Sequence, residues 1–193
     1  MQPLLAIVGP TASGKTALAV QLAEQFSGEL VSADAKQLFI GMDIGTNKEQ
    51  SLSATQHLID VLEPGVKPTV YWYQQEAYRV IDEVAARGNL PILVGGSMLY
   101  AESVLKGYVF STEGKSTESN PRYRTLALGI TVDRELLRQR IADRTLHWLD
   151  QGLLLEITNL LNAGVSSEWL RWCGLEYKWF TAHILGECTL EEA

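Results

Sequence analysis

Gly9-Pro10-Thr11-Ala12-Ser13-Gly14-Lys15-Thr16 satisfies G-x-x-x-x-G-K-[ST] at every fixed position. The flanks are those the pattern requires. Leu4 to Val8 is a continuous apolar run, the signature of a strand covered on both faces. After the glycines, Leu18, Ala19, Leu22, Ala23 and Phe26 recur at helical spacing from Thr16 onward. A strand, a glycine-rich turn and a helix in this order form a P-loop. The glycines let successive N–H groups converge on phosphate oxygens, and the helix N-terminus adds about half a positive charge. Gly9 to Thr16 are therefore the candidate diphosphate or nucleotide site. Lys15 brings a full charge to the outer phosphate, and the Thr16 hydroxyl is the candidate Mg²⁺ ligand.

The rest of the chain continues the alternation. Leu30 to Ser32 reads as a second strand, and His57 to Leu62 as a third. Tyr73, Ala77, Val80, Ile81 and Val84 share one helical face, closed by Gly88. Leu90 to Val94 reads as a buried strand, and Gly95-Gly96 turns into a helix over about Ser97 to Leu105. Such alternation implies an α/β fold, a P-loop NTPase-like parallel sheet with helices on both faces in three α/β/α layers. Ser111 to Arg122 is polar and rich in Ser, Thr and Gly, and reads as a flexible linker. Beyond it, Thr125 to Thr131 reads as a strand. Leu137, Ile141, Trp148 and Leu149 mark an amphipathic helix, Leu153 to Leu161 another, and Tyr177 to Leu185 a last one. With 193 residues and 46% apolar content, one domain accommodates all of this. Its core covers 1–110, its linker 111–122, and a strand with C-terminal helices 123–193.

The net charge of −7 does not advertise nucleic-acid binding, which rests on Lys and Arg against phosphates. No apolar run approaches a membrane span, and Met1-Gln2-Pro3 lacks a basic leader region. Cys173 and Cys188 have no Cys-x-x-Cys spacing and read as reduced, semi-buried thiols. These features lead to the expectation of a cytoplasmic protein; its oligomeric state stays open, with a monomer favoured.

A P-loop specifies polyphosphate without specifying a reaction. In NTPases a second strand usually ends in an Asp that helps hold Mg²⁺. Here the strand Pro91 to Val94 ends in Gly95-Gly96-Ser97, with no carboxylate. The other acid is Asp34, just past the second strand. A parallel sheet gathers ligands at its carboxyl edge, so Asp34 is read either as a site residue or as a helix cap or loop acid.

Three segments resemble the tRNA dimethylallyltransferase (tRNA isopentenyltransferase) family: GPTASGKT at Gly9 to Thr16, SADAKQLFIGMDIGTNK at Ser32 to Lys48, and LPILVGGSMLY at Leu90 to Tyr100. The Gly41 to Thr46 run is the most specific, because ordinary P-loop kinases do not carry it; at Ser97 the family usually has Thr. A weaker match, Arg138 to Ile157, resembles the family's Arg-x-x-x-Arg helix followed by Gly-Leu and an acidic residue. The resemblance implies transfer of a dimethylallyl group from dimethylallyl diphosphate to N6 of adenosine-37 in tRNA, with Mg²⁺. It implies Asp34 as the general base, with Lys15 and Thr16 serving the leaving diphosphate. Asp34, Ala35, Lys36, Gln37 and Ser97 would contact the tRNA, whose target base must leave its stack. Arg140 and Arg144, four apart on one helical face, are either a diphosphate clamp or a solvated surface. Asp43 is read as organising its own turn or contacting Mg²⁺ or substrate. His57 is read as packed or at the surface, and Trp169, Trp172 and Trp179 as core or interface rather than base-stacking residues.

The chain departs from that family twice. Gly107-Tyr108-Val109-Phe110 runs almost directly into the polar segment, where the family inserts a mostly helical, tRNA-gripping domain. The family also continues past the point that Ala193 reaches, with a basic helix rich in Arg and Lys. The expectation is a diphosphate site kept while tRNA is held weakly or not at all. Two alternatives stay open: a degenerate relative that binds nucleotide or diphosphate without tRNA turnover, and an adenylate isopentenyltransferase or small P-loop kinase.

Overall fold

The computed structural model describes residues 1–48, 53–110 and 116–193, the last including 116–119 as backbone only. The sequence reads as one domain; the contacts sort it into two compact units, Met1–Ala35 with Ser51–Ile59 and Pro68–Arg138, and Lys36–Gln50 with Asp60–Lys67 and Gln139–Ala193.

The first unit holds β1 (Pro3–Val8), α1 (Lys15–Phe26), β2 (Gly28–Ser32), β3 (Gln56–His57), α2 (Val70–Ala86), β4 (Leu90–Gly95), α3 (Met98–Lys106) and β7 (Arg124–Gly129). Its sheet runs β3-β2-β4-β1-β7 with every pair parallel. The apolar runs become strands because both faces are covered. Leu5, Ile7, Leu30, Ile92 and Val94 pack with Ala19 and Ala23 of α1. Their alternates Leu4, Ala6, Val31 and Leu93 are equally buried, on the face opposite α1. There α2 lies along β2 and β4, burying Tyr73, Ala77, Val80, Ile81 and Val84. Three α/β/α layers result, as the alternation predicts. Thr69 starts α2, its side chain accepting the Trp72 amide at 3.1 Å.

Two departures are local. The run from His57 to Leu62 stays a strand only through His57. Leu58 (φ 59°) and Asp60 (φ 53°) take left-handed backbone that breaks the pleat, and Leu62 makes an isolated parallel bridge to Phe39. Within the expected linker, Ser116–Ser119 forms β6, antiparallel to β5 (Tyr108–Phe110). Residues 111–115 of that linker lie outside the described residues.

A buried carboxylate stitches the amino end of the sheet. Glu29 accepts from Arg87 Nη2 at 2.7 Å and Asn89 Nδ2 at 2.7 Å, and bonds His57 Nε2 at 2.6 Å. The Arg87 hydrogen bond, helped by Asn89 and His57, outweighs burial and holds the carboxyl down at about 2. His57 is thus a packed histidine.

In the second unit, α4 (Arg134–Gln151) continues from the first, followed by α5 (Leu153–Asn162), α6 (Ser167–Cys173) and α7 (Leu175–Ile184). Phe39, Met42, Trp148, Leu153, Ile157, Leu160, Trp169 and Tyr177 form its core, with Phe39 edge-on to Trp169 at 4.7 Å between centroids. The amphipathic reading of α4 holds only at its end: Trp148 is buried, while Ile141 and Leu146 are exposed. Trp169 is core; Trp172 and Trp179 are half exposed. Cys173 is buried, Cys188 partly so, and both are free thiols. Among the described residues no helix is long and apolar enough to cross a membrane.

Candidate functional site

The P-loop joins β1 to α1, and its backbone is turned by left-handed residues at Ala12 (φ 60°) and Gly14 (φ 91°). Alternation of this kind points successive amides into one concavity. Helix α1 starts at Gly14 with no side-chain cap, and its N-terminal dipole faces the loop. Ser13 is buried, and its Oγ has no hydrogen-bond partner among the described residues. An orphaned buried hydroxyl costs roughly 1–3 kcal/mol, and an anion in the loop would satisfy it. Lys15 is buried as well, its Nζ folded back to donate to the Pro10 carbonyl at 2.6 Å. Pro10 and Thr11 are exposed at the rim, and Thr16 is half-buried in the first turn of α1. A β-carbon on Gly9 would lie 2.8 Å from the Ile130 carbonyl oxygen, so the loop enters against the end of β7.

Asp34 follows β2, the strand that pairs with β4. The two strand ends are laced together: the Ala33 amide donates to Val94 O at 2.8 Å, the Ser97 amide to Ala33 O at 3.0 Å, and the Ala35 amide to Ser97 Oγ at 2.9 Å. A β-carbon on Gly95 would stand 2.2 Å from the Ala33 carbonyl oxygen. That contact explains the missing strand-end carboxylate, because no side chain fits there. A β-carbon on Gly96 would lie 4.0 Å from Lys15 Nζ. The structure thereby brings the P-loop lysine, the Gly96-Ser97 turn and the loop of Ala33 to Ala35 to one edge of the sheet. Asp34 is half-buried there, its amide donating to Ser32 Oγ at 3.3 Å.

Tyr73 underlies this loop. Fully buried, it stacks on Tyr100 at 4.0 Å and donates to Ser32 O at 2.9 Å. Burial pushes its phenol well up, with the nearby Tyr100 and the Asp34 charge adding to the effect, so it remains a donor. Helical spacing marks Tyr73 as core; nothing in the sequence signals its bond beneath Asp34.

The remaining candidates belong to the second unit. Lys36 pairs with Glu176 at 2.6 Å, and Gln37 Nε2 donates to Thr46 O at 3.1 Å. Arg140 is exposed on α4, whereas Arg144 lies over the Trp148 ring at 4.5 Å, a cation–π contact one turn along. Asp43 pairs with Lys48 at 2.9 Å within its own turn. Glu156, the acidic residue of the weaker family-like segment, accepts the amides of Asp43 and Ile44 at 2.8 and 2.7 Å. A carboxylate reaching backbone across more than a hundred residues leaves no sequence signature.

Among the described residues no group of three His, Cys, Asp or Glu side chains could hold a metal by itself. Thr16, in the first turn of α1, and Asp34, after β2, carry hard oxygen donors, a hydroxyl and a carboxylate. They suit Mg²⁺ that arrives with phosphate oxygens and keeps several waters.

Comparison with known proteins brings a family into view. The IPP transferase profile matches residues 37–121 and 109–193. The tRNA dimethylallyltransferase 1 of Parabacteroides distasonis is 34% identical over 248 aligned positions, covering 98% of this chain and 81% of that protein. Two solved structures are similar throughout. The full-length tRNA isopentenylpyrophosphate transferase of Bacillus halodurans has a TM-score of 0.89 at 28% identity, covering all of this chain and 80% of its own. The tRNA delta(2)-isopentenylpyrophosphate transferase of Staphylococcus epidermidis has a TM-score of 0.88 at 26% identity, covering all of this chain and 84% of its own. The aligned stretch of 248 positions exceeds the 193 residues of this chain, and the two profile matches meet at 109–121. An internal stretch of the relatives is therefore missing here, around the β5–β6 hairpin.

Proposed function

The chain belongs to the IPP transferase family, the prenyltransferases that include the tRNA dimethylallyltransferases, and on that premise we propose that it moves a dimethylallyl group from dimethylallyl diphosphate to the exocyclic N6 of the adenosine 3′ to the tRNA anticodon. The observation that carries this reading is the position of the P-loop lysine and the Asp34 loop at one edge of the sheet. An uncapped helix N-terminus, the orphaned Ser13 hydroxyl and Lys15 share one sheet edge with a loop ending in a carboxylate.

In the proposed reaction the bond between the allylic carbon and the diphosphate oxygen breaks, and a bond from N6 to that carbon forms. Negative charge grows on the departing diphosphate. The amides of Gly9 to Thr16, the Ser13 hydroxyl and Lys15 stabilise it as it develops, which is where fixed donors lower a barrier most. Mg²⁺, held by the Thr16 hydroxyl together with phosphate oxygens, would supply further charge neutralisation. Asp34 takes the proton that N6 releases. Its half-buried setting, tied through Ala35 to Ser97, supports a fixed direction for that transfer. Ala35, Lys36, Gln37 and Ser97 are proposed to contact the extruded nucleotide, and Arg140 with Arg144 to approach the diphosphate. Cytoplasmic action is part of the same proposal.

A second reading is favoured by one specific observation, the stretch missing between the two profile matches. If that stretch supplies much of the tRNA grip, the chain retains diphosphate binding and holds tRNA weakly. One assay decides. Purified protein is given Mg²⁺, labelled dimethylallyl diphosphate, and either unmodified tRNA or AMP. Label in tRNA supports the proposal; label in AMP supports a free-nucleotide acceptor; diphosphate binding without transfer supports the weaker-grip relative.

A further inference from the structure

The Gly41 to Thr46 segment is built around an anion that the protein supplies itself. Glu156, on α5, is buried. Its Oε2 accepts from the Asp43 amide at 2.8 Å and the Ile44 amide at 2.7 Å. Its Oε1 accepts from the Gly45 amide at 3.3 Å and the Tyr177 hydroxyl at 2.8 Å. Three successive backbone N–H groups converging on one anion form a nest, the arrangement that a P-loop offers to phosphate. Here a carboxylate fills it. Burying a charge costs several kcal/mol unless its oxygens are satisfied, and both oxygens of Glu156 are.

Further residues in and beside the segment hold this arrangement in place. Gly45 has no room for a side chain: a β-carbon would lie 2.7 Å from Tyr177 Oη and 3.0 Å from Leu153 Cδ1. Thr46 Oγ1 donates back to the Met42 carbonyl, and Met42 itself is fully buried. Lys48 Nζ closes the far end, donating to Phe39 O at 2.6 Å and to the carboxylates of Asp43 and Asp60. The turn so fixed presents the Thr46 carbonyl, which accepts from Gln37 Nε2 at 3.1 Å. The Gln37 backbone carbonyl is held as well, by the Asp60 amide at 3.1 Å.

We propose that Glu156 is a positioning residue for acceptor recognition: by filling the Asp43–Gly45 amide nest it sets the turn whose Thr46 carbonyl orients the Gln37 amide toward the RNA. The inference rests on reading Gln37 as a tRNA contact. Glu156 touches the Asp43–Gly45 amides and the Tyr177 hydroxyl, and in this role it acts on the acceptor through Gln37. Its loss therefore weakens RNA binding selectively.

The test uses the full chain with Glu156→Gln, Gln37→Ala and the double variant. Glu156→Gln preserves volume while replacing one acceptor oxygen by an NH₂ that opposes the nest. Affinity is measured by fluorescence anisotropy for a labelled, unmodified anticodon stem-loop, and by calorimetry for dimethylallyl diphosphate with Mg²⁺. The expected result is RNA binding weakened about tenfold in each single variant, the loss of one charge-assisted hydrogen bond or its equivalent. Diphosphate affinity stays within twofold of wild type, and the double variant is no weaker than the worse single. Amide exchange at Asp43 and Ile44 accelerates in Glu156→Gln alone. Equal loss of both ligands, or multiplicative losses in the double variant, overturns the proposal by making Glu156 a general stabiliser. Weakened RNA binding in Gln37→Ala with none in Glu156→Gln overturns it while leaving the Gln37 reading intact. Unchanged binding in Gln37→Ala removes that reading and the inference with it.

Discussion

The hydroxyl of Ser97 accepts the Ala35 amide at 2.9 Å, joining the loop after β2 to the turn after β4 one residue beyond Asp34. The adjacent Ser97 amide returns a bond to Ala33 at 3.0 Å. Asp34 is thus held between two anchored residues, which is how a loop carboxylate gains a fixed direction. Ser97→Ala removes the side-chain anchor and is expected to lower kcat for transfer to tRNA about tenfold, the equivalent of one hydrogen bond. Ser97→Thr keeps the hydroxyl and should stay within about twofold of wild type. Steady-state kinetics on the two variants checks this pair.

Gly95 carries the same interface from the other side. Because a β-carbon there would stand 2.2 Å from the Ala33 carbonyl oxygen, Gly95→Ala must push β2 and β4 apart at their ends. Overpacking of this kind costs roughly 1–3 kcal/mol. A lowered Tm with transfer reduced more than diphosphate affinity is expected, read by thermal melts and calorimetry.

Much of this was legible from residues alone. The P-loop is local, eight residues flanked by a strand and a helix, and β1 and β4 announce themselves because both faces are covered. Sequence position alone leaves Asp34 between a cap and a site acid; the lacing of Ala33 and Ala35 to Val94 and Ser97 supports the second. The extent of β3 is not readable from sequence, because left-handed backbone at Leu58 and Asp60 has no side-chain signature in a Leu-Ile-Asp run. The strand at Ser116–Ser119 was hidden by polar composition, since a hairpin strand is held by backbone pairing with Tyr108 and Phe110. Glu156 needed the fold to bring it to Asp43.

The Glu29 cluster gives a pH signature. Its folded value of about 2 lies below the ordinary 4.5, so its contribution is whole above pH 4.5 and is lost as pH falls from 4.5 through 2. Glu29→Gln is expected to cost roughly 1–3 kcal/mol at neutral pH. The difference in Tm between wild type and Glu29→Gln should hold level from pH 6 to about pH 5 and shrink as melts are run from there down to pH 3.

The two thiols should separate by reactivity. Burial pushes the Cys173 thiol up to about 12, and the side chain is enclosed in the core of the second unit. Under native conditions a thiol reagent is expected to modify Cys188 first, with Cys173 reacting only on unfolding. Mass spectrometry of the partially modified protein identifies which one carries the label.

The division of labour between Lys15 and Asp34 is tested most directly by titrating dimethylallyl diphosphate with Mg²⁺ into wild type, Lys15→Ala and Asp34→Ala, with single-turnover transfer to tRNA measured alongside. Lys15→Ala should abolish measurable binding. Asp34→Ala should bind as wild type and lose about 10²- to 10⁴-fold in transfer, the range for removal of a general base. Wild-type affinity in Lys15→Ala, or binding lost in Asp34→Ala, would contradict a diphosphate held by the P-loop with the carboxylate serving the acceptor.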